Sequence, residues 1–131
     1  MSLPQFESDL KAHIIGAISA IEKHYEVLKD YLGGANYELD VVKDTLVNLR
    51  DYLGRASMSL QFYMAMKNKP FLPLSTLMQN VMTCLDVAAL GLELNMNPRL
   101  WIELSLAYCS VRVENIVQML RLIRTALQSI P

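Results

Sequence analysis

The sequence has little cysteine, little charge and no surplus of charge of either sign. Two cysteines in 131 residues, Cys84 and Cys109, are too few for the disulfide framework of a small secreted domain, so a reducing compartment is expected. Twelve basic residues are offset by thirteen acidic ones, which leaves no polyanion-binding surface and no expectation of nucleic acid. Charged residues make up only 19% of the chain and hydrophobic ones 53%, which excludes a disordered polymer. The length suits one domain with a real core and is too short for a two-domain enzyme.

A membrane-spanning run is also missing. The most apolar stretch, Leu77 to Leu94, is interrupted by Gln79, Asn80, Asp86 and Glu93, as expected of a buried helix in a soluble protein. The segment Met1 to Glu7 has no basic region leading into an apolar run, so secretion is not expected and a cytoplasmic location is.

Glycine and proline are scarce, five of each, and their positions divide the chain. Phe6, Leu10, Ile14, Ala17, Ile21, Tyr25, Leu28 and Leu32 recur three and four residues apart, predicting a first helix over 5–32 that Gly33-Gly34 ends. Leu39, Val42, Leu46, Leu49, Leu53, Ala56, Leu60 and Tyr63 repeat the rhythm over 38–67, up to the break at Asn68-Lys69-Pro70. Ser75 is the expected N-cap of a third helix over 75–95. Asn97-Pro98 is a cap followed by proline at the first helical position, opening a fourth helix over 98–129. No stretch alternates with period two, so strands are not expected. The predicted fold is an all-α antiparallel four-helix bundle of two long helical hairpins, in a single domain over 1–131.

The two hairpins differ in character. Residues 71–131 hold 8 charged residues, whereas 1–70 hold 17. The fourth helix has one polar face, formed by Glu103, Ser110, Glu114, Gln118, Arg121, Thr125 and Gln128, and its apolar side, with Leu100, Trp101, Leu104 and Tyr108, covers more than half of it. One small core cannot bury that much, so a second subunit or another partner is expected to cover the rest. On the second helix Met58, Phe62 and Met66, with Phe71 just beyond, form a candidate adaptable surface, because methionine is flexible and polarizable. Such residues are as ordinary on a central helix buried from two sides. Trp101, Tyr108 and Arg112 are candidates for the self-association surface. Arg112 is expected on the apolar side of the fourth helix, with no assigned carboxylate partner, since Asp86 lies on a polar stripe facing water.

Catalytic and metal-binding patterns are missing. His13 and His24 lie eleven residues apart on one helix, too far along its axis to share a metal, and the usual reading is two surface histidines. No Glu-x-x-His, Cys-x-x-Cys, phosphate loop or nucleophile elbow occurs, and both cysteines read as small core residues. His13 is followed by Ile14-Ile15-Gly16 with its nearest lysine, Lys11, on the wrong side, which suits phosphotransfer poorly. The carboxylates Glu22, Glu26, Asp30, Asp40, Asp44 and Asp51 alternate with bases as on a solvated face, and Arg121 and Arg124 suit a helix C-terminus.

These features predict a non-enzymatic interaction module, an adaptor, chaperone-like cofactor or small regulatory subunit. It would act as a homo-oligomer, with a dimer favoured, and would bind a further protein partner. No cofactor, metal or nucleic acid is expected. The rival expectation is a carrier of an apolar small molecule or lipid in a cavity between helices.

Overall fold

The computed structural model describes residues 2–94 and 97–130, and those residues form five helices without a strand. They are α1 (Leu3–Leu32), α2 (Leu39–Met66), α3 (Leu72–Leu92), α4 (Pro98–Ala107) and α5 (Val113–Gln128). Among the described residues, no helix is long and apolar enough to cross a membrane.

α1 and α2 form an antiparallel hairpin, with Phe6 near the start of one meeting Phe62 near the end of the other. The apolar stripe of α1 buries Ile14, Ala17, Ile18, Ile21 and Leu28. Val42, Leu46, Leu49, Leu53, Ala56 and Leu60 do the same on α2. Both helices end in the same motif. At the end of α1 the Gly34 and Ala35 N–H groups donate to the Tyr31 and Asp30 carbonyls, with Gly34 at φ 111°. At the end of α2 the Asn68 and Lys69 N–H groups donate to Ala65 and Met64, with Asn68 at φ 55°. Each is a Schellman stop, in which a residue able to adopt left-handed φ satisfies orphan carbonyls.

α3 packs along α2 and begins earlier than the sequence indicates. Its N-cap is Phe71, and Pro73 lies in the first turn. Ser75 is therefore not a cap. It is buried against α2, where its hydroxyl is bonded to Gln61 Nε2 and lies 3.5 Å from Ser57 Oγ. Serine inside a helix satisfies its hydroxyl through a neighbour once tertiary contact supplies one. The expected third-helix end at Asn95 falls outside the described residues.

The expected single fourth helix is two helices, so the second half of the chain is not a pair of long helices. Asn97 caps α4 as anticipated, its side chain accepting the Leu100 N–H at 3.3 Å. The helix then stops at Tyr108, and α5 restarts after Arg112. No glycine or proline causes this break. Instead Ser110 donates through its N–H and hydroxyl to Asn80 Oδ1 of α3, at 3.2 and 2.8 Å, and Cys109 is bonded to Cys84 of α3. These contacts replace local helical bonds with links to a neighbouring helix. The break also lets the two pieces bury different sides: α4 rests on α3, and α5 rests on α1 through Val113, Ile116, Val117 and Leu120.

The cysteines correct a second expectation. They are not free core residues but a disulfide with Cα atoms 6.1 Å apart, within the usual range for such a bond.

Candidate functional site

Polar side chains gather at two places on the flank of α1. Glu22 is half-buried and receives both arginines of α5. Arg121 Nε lies 2.6 Å from its carboxylate, and Arg124 contacts the other oxygen while also bonding Ser19 Oγ at 3.1 Å. Glu22 is thus not a solvated carboxylate, and the arginines do not serve mainly to complement a helix dipole. They clamp α5 to α1. Burial raises the Glu22 pKa, but the hydrogen bonds and charges of Arg124 and Arg121 outweigh it and hold the carboxyl below its ordinary value.

That direction sets a pH dependence. A carboxyl with a depressed folded-state pKa contributes stability that is present above its unfolded value, near 4.5, and is lost as pH falls through the folded value. His24 acts in the same sense at higher pH. Half-buried and stacked on Tyr52, with ring centroids 5.7 Å apart, it has its pKa lowered by burial and then by Lys23. Its contribution is present above its unfolded value of 6.5 and fades as pH falls below that. Acid titration of the midpoint of chemical unfolding should therefore show a first weakening below 6.5 and a second below 4.5. Glu22→Gln should shrink the second, leaving the part that Glu93 contributes through Lys43, and cost about 1–2 kcal/mol at neutral pH, because two charge-assisted bonds are lost.

At the α4–α5 break lies a cleft of about 300 Å³ bordered by Tyr25, Lys29, Glu103, Arg112 and Glu114 over Leu28, Leu32, Leu106 and Val113. Arg112 is the exposed N-cap of α5 and not a buried cation on an apolar helix face. Its position follows from the break, which ends the continuous helix on which it was placed. Asp86 is exposed and pairs with Arg50 of α2 at 3.3 Å. The Tyr25 phenol is raised mainly by burial, and further by Glu114 and Glu26. His13 is exposed, and among the described residues no group of three or more histidine, cysteine or acidic side chains could hold a metal.

The remaining candidates are apolar, and the structure distributes them over three surfaces. Trp101 is half-buried between α3 and α4. Its indole N–H donates to the Val87 carbonyl at 3.1 Å, and its ring lies against Gly91, where a side chain would collide with it. Tyr108, at the end of α4, is 87% exposed. Val87 and Leu90 of α3, Leu94 just beyond its end, and Leu100 and Leu104 of α4 are exposed as well. A hollow of about 410 Å³ runs between Val87, Trp101, Leu104 and Tyr108.

Met58, 74% exposed, and Phe62 form a second surface with Leu3 and Phe6, and the Phe6 and Phe62 rings meet edge to face at 5.7 Å. The N-terminal turn of α1 completes this patch, which spacing within α2 could not reveal. Met66 is half-buried on the same helix. Phe71 belongs to a third region, facing Leu60, Met64, Leu74 and Ile123 under the α2–α3 connection. The helical spacing identified the α2 residues. Leu90 and Leu94 were not singled out because their exposure depends on how α3 packs, although the low charge of this half of the chain pointed to it.

Arg99 ties the top of α4 to the first hairpin. Its guanidinium donates to the Tyr31 carbonyl at 2.8 Å and the Ala35 carbonyl at 3.0 Å, and lies 4.6 Å from the centre of the Tyr31 ring. A fixed planar fork suits that combination of donors and stacking. No family model, curated protein or solved structure matches the chain.

Proposed function

We propose that this chain is a non-enzymatic protein–protein interaction module acting as a homo-oligomer, with the α3–α4 face as the self-association surface. The exposed patch around Leu3, Phe6, Met58 and Phe62 would receive a different protein, in the manner of an adaptor, chaperone-like cofactor or regulatory subunit. We read the helices as an antiparallel four-position bundle in which α4 and α5 share the fourth position.

The observation that carries the reading is the exposed apolar side chains of the α3–α4 face, concentrated in the half of the chain with least charge. Isolated exposed leucines are ordinary on any protein surface, but a joined set flanking a hollow is not. A stable dimer buries about 800 Å² on each partner. Val87, Leu90, Leu94, Leu100, Leu104 and Tyr108 offer area of that order around the half-buried Trp101, which suits an anchor. The Cys84–Cys109 bridge lies beside this face and favours an oxidising compartment over the cytoplasm.

Light scattering after size exclusion, over a tenfold concentration range, tests the reading. The native chain is expected at twice its own mass. Leu104→Glu should leave the helix content intact and weaken the dimer by about thirtyfold, as loss of a central apolar contact costs roughly 2 kcal/mol. A native chain that stays monomeric throughout would remove self-association.

A second reading, a carrier of an apolar small molecule, is favoured by one feature. Two apolar hollows beside α5 share Leu60, Met64 and Ile123 in their walls.

A further inference from the structure

α5 rests on α1 and scarcely touches α3, so its flank toward the α2–α3 connection is left uncovered. Hollows of about 280 Å³ and about 480 Å³ occupy this gap and adjoin at Leu60, Met64 and Ile123, which line both, so the two are taken together as a trough. Its size falls in the range of small-molecule sites, about 300–1,000 Å³. Met64 at the waist is unbranched and adjusts readily to a flexible chain.

The trough is polarised along its length. The smaller end, walled by Pro70, Phe71, Pro73 and Leu74, has no charged residue, whereas Lys67 and Lys69 stand at the larger end beside Ile130. Lys67 pairs with Glu7 and lies 5.7 Å from the Tyr63 ring centre. Lys69 has no ion pair among the described residues. Its placement is built into the backbone: the left-handed Asn68 turns the chain so that the Lys69 N–H bonds the Met64 carbonyl at 2.9 Å. Lys11 adds a further cation, 3.5 Å from the Ile130 carbonyl. Among the described residues, Lys11, Lys67 and Lys69 stand against Glu7 at this end, a positive balance complementary to an anion, while the rest of the trough accepts only apolar groups.

We propose that the trough binds a long-chain fatty carboxylate, with its alkyl chain along Leu60, Met64 and Ile123 toward Phe71 and its carboxylate at Lys69. The proposal rests on the carrier reading above and narrows it to one ligand class.

Calorimetric titration with decanoate, dodecanoate and tetradecanoate below their micelle concentrations tests it, with dodecanol and dodecyltrimethylammonium as neutral and cationic controls. Affinity should rise about tenfold for each two carbons added, at three- to fourfold per buried methylene. Dodecanoate should bind about tenfold more tightly than dodecanol, and the combined exposed variants Lys67→Gln and Lys69→Gln should erase that preference. Leu104→Glu, on the α3–α4 face, should leave binding unchanged. Equal affinity for dodecanoate and dodecanol would overturn the carboxylate assignment and leave an apolar carrier standing. Binding that is lost in Leu104→Glu but indifferent to the lysines would place the ligand elsewhere and overturn the proposal. No binding of any of these probes would overturn the carrier reading as well.

Discussion

Replacing Gly91 by alanine should expel Trp101 from the seam between α3 and α4 and lower stability by about 2–4 kcal/mol. A Cβ built on Gly91 would sit 1.6 Å from the indole Nε1 and 2.0 Å from Cε2, so the ring cannot stay where it is. No flexible end of a side chain is available to yield, because a rigid bicyclic ring fills the space. Its departure also breaks the bond to the Val87 carbonyl and opens the contact through which α4 rests on α3. In an isolated helix the same substitution would be favourable by about 1 kcal/mol, so a measured loss reports tertiary packing and not helix propensity. Trp101 is the only tryptophan, and its fluorescence should shift to the red as the indole meets water. Gly91→Ala made in a Trp101→Ala background should cost far less than it does alone, the non-additivity expected of two residues that share one space. An unshifted emission spectrum with unchanged stability would mean that the indole does not lie over Gly91.

Reduction of the Cys84–Cys109 bond should lower stability by about 3.5 kcal/mol, the loop-closure value for its 25-residue separation. The bond joins the middle of α3 to the interval between α4 and α5, the point where the chain leaves helical geometry. Without it, the Asn80–Ser110 hydrogen bonds and the packing of Val111 remain to hold that interval in place. Chemical unfolding with and without reductant should show the difference, and Cys84→Ala with Cys109→Ala should match the reduced chain. In the oxidised native protein a thiol reagent should find no reactive cysteine even after unfolding. Two titratable thiols would show that the pair is open and that the break depends on the Asn80 contacts and packing alone.

Both effects arise in the second half of the chain, where sequence and structure part company. The first two helices were legible because each of their signals is local. The three- and four-residue spacing from Ile14 to Leu28 and from Val42 to Tyr63 sets which side is buried, although Phe6 and Leu39 at the starts of the two stripes are exposed, and Gly34 and Asn68 supply left-handed residues where the helices stop. The start of α4 was legible for the same reason, since Asn97 and Pro98 act within one turn. Met58 and Phe62 could be singled out from spacing alone, but not the contribution of Leu3 and Phe6 to the same patch, which comes from the opposite end of the hairpin.

The break after Tyr108 had no local cue. Nothing in Tyr108-Cys109-Ser110-Val111 forbids a helix. It ends there because Cys109 and Ser110 find partners, Cys84 and Asn80, that lie 25 and 30 residues earlier. Once the helix is divided, the angular positions counted along it no longer apply across the break. Arg112 moves from an apolar face to an exposed cap, and Arg121 and Arg124 reach Glu22 about a hundred residues away. The need of Trp101 for a glycine at 91 is likewise a contact between helices. Periodicity and capping act over a few residues of backbone, so one chain carries them openly; a disulfide, a two-arginine clamp and a ring seated on a glycine exist only after distant segments have met.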